Sequence, residues 1–308
     1  MTKVALRPYA LLPRQYDEQK VLASTIDAWG RALWLMCDDA RFQLGPHGWR
    51  SVEPPQLPFD ALLVVRDGDL VCEKTLYGVA SVPWEIDALT RDEFVLYGFG
   101  PVGRDRHNAQ IFGPRGRSRR RFSLGSGIQH MVADGRASLW TGYNDEGVYG
   151  DPIGAGALVR WDTDGNRQHG FHPPEPHHVV VEIDGLNVTD SVVRAVYGPG
   201  SPLAELRAGE PVRFRRLPVA DAWGLAVRGD RLLLLGGSER GTAHTHLRQV
   251  HHCRLTDGGA VITGRGELTW PNGDPVRRYT RPVGRGPHLY VRNRPSMRMW
   301  YVLSVPQE

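Results

Sequence analysis

Lysine is nearly absent from this chain. Of 38 basic side chains in 308 residues only Lys3, Lys20 and Lys74 are lysines, which leaves 38 − 3 = 35 arginines. Set against 34 acidic residues they give a net charge of +4. Such a skew toward arginine is what a GC-rich genome writes, so the basic balance argues little for a nucleic-acid partner. Cysteine is scarce as well. Cys37, Cys72 and Cys253 are odd in number and far apart, which excludes a disulfide-stapled scaffold and reads as buried, reduced thiols. No apolar run approaches the roughly 18 residues of a membrane helix; the longest, such as Leu232 to Leu235, are strand-sized. Lys3, Arg7 and Pro8 interrupt the N-terminus, so no signal peptide is expected there. The composition predicts a soluble cytoplasmic protein with no membrane attachment.

Sustained helical periodicity is also missing. Thirty-six glycines and 23 prolines separate short apolar or alternating runs, the pattern of strands joined by tight turns. One unit recurs: an apolar strand, a turn of the Asp-Gly or Arg-Gly kind, then a second strand ending in an aromatic residue or glycine. It is clearest from Ile128 to Tyr143 and from Trp223 to Gly236, and weaker around Ser24, Glu85, Glu182 and Tyr279. Leu33, Phe94, Leu139, Val193, Leu232 and Leu289 mark the six copies. A period near fifty residues suits a four-stranded blade with variable loops. Six copies predict an all-β chain, a six-bladed β-propeller forming a single domain over 1–308. The last copy lacks a fourth strand, and the segment from Lys3 to Ala10 fits the gap, so the N-terminal strand is expected to join the last blade and close the ring. A two-domain sandwich is the structural alternative.

The stretch Gly127-Ile-Gln-His-Met-Val-Ala-Asp-Gly-Arg-Ala-Ser-Leu-Trp140, followed by Tyr143-Asn-Asp-Glu-Gly-Val-Tyr-Gly150, resembles an uncharacterised family of bacterial propellers, as does Ile183-Asp-Gly-Leu-Asn-Val188. These motifs cover about a quarter of the chain. More distantly the pattern is similar to the six-bladed group that holds gluconolactonases and strictosidine-synthase-like proteins. That resemblance implies the fold and makes an acid/base condensation or cyclisation in bacterial specialised metabolism conceivable. No gluconolactonase metal-ligand motif is matched, and the fold alone names no reaction.

Aligning the copies by their turns places Glu85, Gln129, Asp184 and Trp223 at the starts of the innermost strands, with His130 and Arg281 one position further on. Glu85, Asp184 and His130 are therefore the candidate proton-transfer groups of a central funnel. Trp84, Gln129, Trp223, Arg281, Asp145 and Glu146 are the candidate ligand-binding side chains, with the alternative that all are hydrated channel-mouth residues. The acidic loop from Asn144 to Asp151 reads as a glycine-rich turn. His244 and His246, two apart in an extended loop, would face one way like metal ligands and support a second enzyme reading, a metal-dependent hydrolase or lyase; a solvated loop is the plainer reading. The run Arg115 to Arg121 reads as an outer, solvated hairpin, and it lacks the interleaved aromatics that stack on nucleic acid. No nucleophile elbow, Walker loop or dinucleotide fingerprint is present, so no cofactor is expected. The predicted partner is a small-molecule ligand in the funnel; a non-catalytic propeller binding a peptide or protein on the same face is the rival.

Overall fold

In the computed structural model the described residues are 2–37, 57–99, 107–239, 247–277, 281–293 and 297–307, with the backbone of two short strands at 42–44 and 50–52. Nearly all regular structure is β. It falls into successive antiparallel meanders in a propeller-like arrangement. The first comprises Lys20–Ile26, Ala32–Cys37, Phe59–Asp67 and Leu70–Val79; the second Val82–Ala88, Phe94–Phe99, Ala109–Phe112 and Ser118–Phe122. The third runs Ile128–Ala133, Leu139–Tyr143, Leu158–Trp161 and Arg167–Gly170; the fourth Glu182–Val188, Val193–Gly198, Pro202–Leu206 and Arg213–Arg216. The fifth holds Gly224–Arg228, Arg231–Leu235, Gln249–Leu255 and Ala260–Thr269, with Thr2–Ala5 added in parallel at its outer edge. The sixth is Val283–Arg285, His288–Arg292 and Met299–Ser304, completed by Arg7–Leu11 pairing antiparallel with Met299–Ser304. All six sequence markers fall in second strands.

The turns follow from local chemistry. Gly68 and Gly229 sit at φ 59 and 57, a left-handed conformation that glycine adopts without steric cost. In the third meander Asp134 Oδ1 accepts from the backbone N–H of Arg136 (2.8 Å) and Ser138 (2.9 Å), an Asx turn that tightens the first hairpin.

Second strands are rich in apolar residues because both of their faces are largely buried. Leu33 and Leu35 pack with Ile86 and Phe94 of the second meander, while Trp34 and Met36 pack with Tyr290 and Trp300 of the sixth. Val95 and Tyr97 join Met131 and Leu139 of the third. Leu232 and Leu234 join Val196 of the fourth, and Leu233 and Leu235 join Leu289 and Val291 of the sixth. A cluster led by Trp140, Ile183 and Tyr197 fills the space between the third and fourth.

The first strands meet in the middle, and there the packing is polar. Arg285, 8% exposed, donates from Nη2 to Asp87 Oδ2 at 2.7 Å, from Nε to the Ile26 carbonyl at 3.2 Å, and from Nη1 to the Ala133 carbonyl. The same Asp87 oxygen accepts from the Ala133 N–H at 2.7 Å. On the other side Asn187 donates to the carbonyls of Leu225 and Gly286, both at 3.0 Å, and accepts from the Gly286 N–H. One ion pair and one amide thus tie the first strands of all the meanders.

Three expectations are corrected. Cys37 and Cys253 are buried but Cys72 is exposed, because it lies on the outermost strand of its meander. The acidic turn after Asn144 is a short helix, Asp145–Gly150, since the Asn144 side chain accepts from the Gly147 N–H and caps it. Gly127 lies against this cap; a Cβ there would stand 2.1 Å from Asn144 Oδ1. Third, register displaces the turn-based alignment. β-Bulges skip Leu22, Trp84, Gln129 and Asp184, so Trp84, not Glu85, is the equivalent of Gln129 and Asp184.

Breaking the central pair should cost far more than a surface ion pair. Asp87→Ala and Arg285→Ala are each expected to destabilise by about 3–5 kcal/mol, because the surviving partner is left charged and buried. Urea denaturation checks this; a loss below about 1 kcal/mol in both would contradict the central role.

Candidate functional site

Toward the opposite end of the first strands, their N-terminal starts, a second polar group of side chains gathers. Glu85 stands two residues before Asp87 on the same strand face. The residue is half-buried, and its carboxyl is surrounded by protein. Burial pushes it up to about 7, against the pull of Arg281 and Arg292 and a backbone hydrogen bond at Met131. Asp184 sits at the bulge of the fourth meander's first strand, where the extra residue re-aims its side chain. Burial, then the neighbouring acids Glu182 and Asp221, push Asp184 up to about 7, while Arg281 pulls down. Its Oδ2 is buried with no hydrogen-bond partner among the described residues.

Arg281 links these groups. Its Nη1 donates to the Gln129 carbonyl at 3.0 Å, reaching from the sixth meander to the third. Desolvation lowers its pKa, and Glu85, Glu182 and Asp184 oppose the drop. The Gln129 side chain donates to Glu182 Oε2 at 2.6 Å. His130 is buried, with Nε2 3.1 Å from the Ile183 carbonyl and 3.2 Å from that of Asp184. Burial, reinforced by Arg281, lowers its pKa to about 3, so the ring is neutral and donates from Nε2 to those carbonyls. That fixes the backbone beneath Asp184 and leaves His130 no proton to exchange near neutral pH.

Glu85, Gln129, His130, Asp184 and Arg281 thus lie near one another. Trp84 is half-buried and packs with the core cluster of Tyr97 and Met131. Trp223 is 37% exposed. Asp145 and Glu146 are exposed on the first turn of their helix, and Glu146 joins Glu85 in raising the pKa of Tyr97, which pairs with Glu85 across the strands. His244 and His246 lie outside the described residues. Among the described residues no group of three or more His, Cys, Asp or Glu side chains is placed to hold a metal ion.

Sequence reasoning misses Glu182, Asp221 and Arg292. Glu182 lies two before Asp184, but the bulge at Asp184 breaks the alternation that would otherwise have linked them. Asp221 holds a left-handed φ of 56 in a connection, and Arg292 ends a second strand; neither position carries a local signature.

No protein-family model matches this chain, and no curated protein matches it either. Solved structures do. A virginiamycin B lyase from Staphylococcus aureus aligns over 96% of this chain and 98% of its own at 14% identity, with a TM-score of 0.46. A streptogramin B lyase aligns over 97% of both chains at 13% identity and 0.45, and U3-55K over 98% of both at 9% and 0.47. Overlaps this loose transfer no residue role and no ligand.

The raised carboxyls have a cost in stability. A group whose pKa is higher in the folded than in the unfolded chain stabilises fully only below its unfolded value, near 4, and that contribution is lost as pH rises through the folded value of about 7. Glu85→Gln and Asp184→Asn should therefore stabilise the protein at pH ~8 by on the order of 1–2 kcal/mol each, discounted for their partial exposure, with the gain shrinking as pH falls below ~7 and gone near pH ~4. Thermal melts across that range check the sign; destabilisation at the alkaline end would contradict the burial of these carboxyls.

Proposed function

We propose that the six meanders are the blades of a propeller closed by Arg7–Leu11, and that the mouth lined by Glu85, Asp184 and Arg281 is the acid/base site of a small-molecule enzyme. Closure is supported by the cluster in which Trp34 and Met36 of the first meander pack on Tyr290 and Trp300 of the last. The observation that carries the function is the pair of carboxyls, both pushed to about 7, flanking one half-buried guanidinium. General acid/base catalysis is most efficient when the group's pKa lies near the working pH, and burial is the usual means of bringing a carboxyl there.

In this reading Asp184, whose Oδ2 is unmatched, exchanges a proton with the substrate, and Glu85 handles the complementary transfer. Arg281 holds an oxygen that gains negative charge as the bond changes, in a site where a fixed cation is worth more than in water. His130 and Gln129 are positioning residues: the first braces the backbone at Asp184, the second is held between Arg281 and Glu182. A condensation, cyclisation or elimination of a small polar substrate in bacterial specialised metabolism fits this chemistry and needs no cofactor. The rival reading, a cytoplasmic binding propeller for a peptide, draws on exposed Trp223 and on Tyr149, which is 68% exposed beside Glu146, since exposed aromatics commonly anchor partners.

The two readings separate in one experiment. Incubating the protein with a metabolite extract and following it by untargeted mass spectrometry should show one small molecule consumed, with a rate that peaks near pH ~7. Glu85→Gln and Asp184→Asn should each lower that rate by about 10²-fold or more while remaining folded. An extract left unchanged, or variants as active as the wild type, would sink the enzyme reading and leave the scaffold.

A further inference from the structure

A second built site lies away from the mouth, among the hairpin turns at the other ends of the strands. A cleft of about 790 Å³ opens between the fourth and fifth meanders, bounded by the turns around Arg207, Asp230 and Thr256. None of the acid/base residues lines it. Its floor is charged and buried: Arg194, Glu205 and Arg215 are only 8%, 7% and 8% exposed.

Glu205 is shared between two guanidiniums. Arg194 Nε donates to Oε1 at 2.8 Å, and Arg215 Nη1 pairs with Oε2. Arg215 Nε is taken up by the Thr256 carbonyl at 3.0 Å, across the junction to the fifth meander. Two cations against one anion leave a buried excess of one positive charge, an arrangement that costs free energy unless a further anion completes it. The terminal nitrogens of Arg194 have no hydrogen-bond partner among the described residues and belong to a side chain that lines the cleft. Arg207 adds to the excess: it is exposed on the cleft wall, and desolvation together with its charge lowers the pKa of Arg194 to about 10.

The acids at the rim offset this only in part. Asp257 opposes the desolvation and the Arg194 charge that lower the pKa of Arg215, but it is exposed and faces Arg213 at 3.7 Å, and Asp230 faces Arg254 at 3.6 Å. Glu210, on the same turn as Arg207, offsets at most that one charge.

We propose that this cleft binds a phosphoryl group, held by Arg194 and Arg215 on the floor and by Arg207 on the wall. Planar guanidinium forks match the spacing of tetrahedral oxyanions. The volume exceeds what a bare anion needs and falls within the range of small-molecule sites, so the group belongs to a phosphorylated metabolite. This site is independent of the acid/base mouth and stands whether or not that reading does.

Calorimetric titration at constant ionic strength tests it, with inorganic phosphate in one arm and glycerol phosphate in the other. Saturable binding is expected in both, tighter for the ester. Arg207→Gln, an exposed position, should not lower the melting temperature of the ligand-free protein, since it removes a like charge from beside Arg194, and should weaken both ligands about tenfold. Arg194→Gln should abolish binding; because it strips a buried ion pair and can unfold the protein, the deciding variant is Arg207→Gln. No saturable heat with either ligand, or equal affinity in wild type and Arg207→Gln, would overturn the proposal.

Discussion

Everything in this molecule turns on the ion pair of Arg285 and Asp87 at the centre. When the first strands of several meanders converge, each brings to the buried centre backbone groups that its own sheet leaves unpaired. Arg285 answers that problem from a single position. Its guanidinium offers several donors in a fixed plane and reaches carbonyls of the first and third meanders and the carboxylate of the second. Asn187, which carries both a donor and an acceptor, does the same for the fourth, fifth and sixth. The apolar clusters between neighbouring sheets are interchangeable in kind; the central contacts are specific, and they set the register in which the first strands meet.

That register also builds the mouth. Arg281 lies four residues before Arg285, and both reach residues of the third meander 152 positions away in the chain, Gln129 and Ala133. The two arginines run in parallel with the Gln129–Ala133 segment, so anchoring one positions the other. The mouth carboxyls gain their raised pKa values from the same crowding that makes the hub buried. A site of this kind trades stability for chemistry, and the strong central ties are what allow the fold to bear it.

Much of the architecture is legible in the sequence. The turn signature repeats because each meander begins with a tight hairpin, and the six marker residues identify second strands because each follows such a turn and is buried. Lys3 to Ala10 reads as one strand in the sequence; it is two, Thr2–Ala5 and Arg7–Leu11, serving the fifth and sixth meanders in turn. Leu6, which separates them, is buried with the cluster between those meanders, so a single continuous apolar and polar pattern conceals the switch. The turn alignment brings Glu85, Gln129, His130, Asp184 and Arg281 close to the starts of the first strands, but only approximately: by register Glu85 stands one place beyond the bulge positions of Gln129 and Asp184. Their roles are not legible. Neutral His130 and protonatable Asp184 differ by desolvation and by neighbours that come from other meanders, and sequence spacing does not encode either.

The bulges explain the last step. In a regular strand Glu85 and Asp87 must share a face, and both do point inward; alternation is enough to find them. Asp184 stands where the strand carries an extra residue, so alternation misplaces it, and only the register shows where it aims. The two aspartates differ accordingly. Asp87 Oδ2 accepts from Arg285 and from the Ala133 N–H, both at 2.7 Å, and Oδ1 accepts from the Ala88 N–H at 2.8 Å. Asp184 Oδ2 accepts nothing among the described residues. Both carboxyls are pushed up by burial, yet one has its oxygens saturated and is fixed as structure. The other keeps a buried oxygen unmatched, which a folded protein tolerates at a cost of about 1–3 kcal/mol and which a substrate donor would recover on binding. Saturation of the oxygens, more than the pKa or the depth, separates the carboxylate that holds this fold from the one available for chemistry.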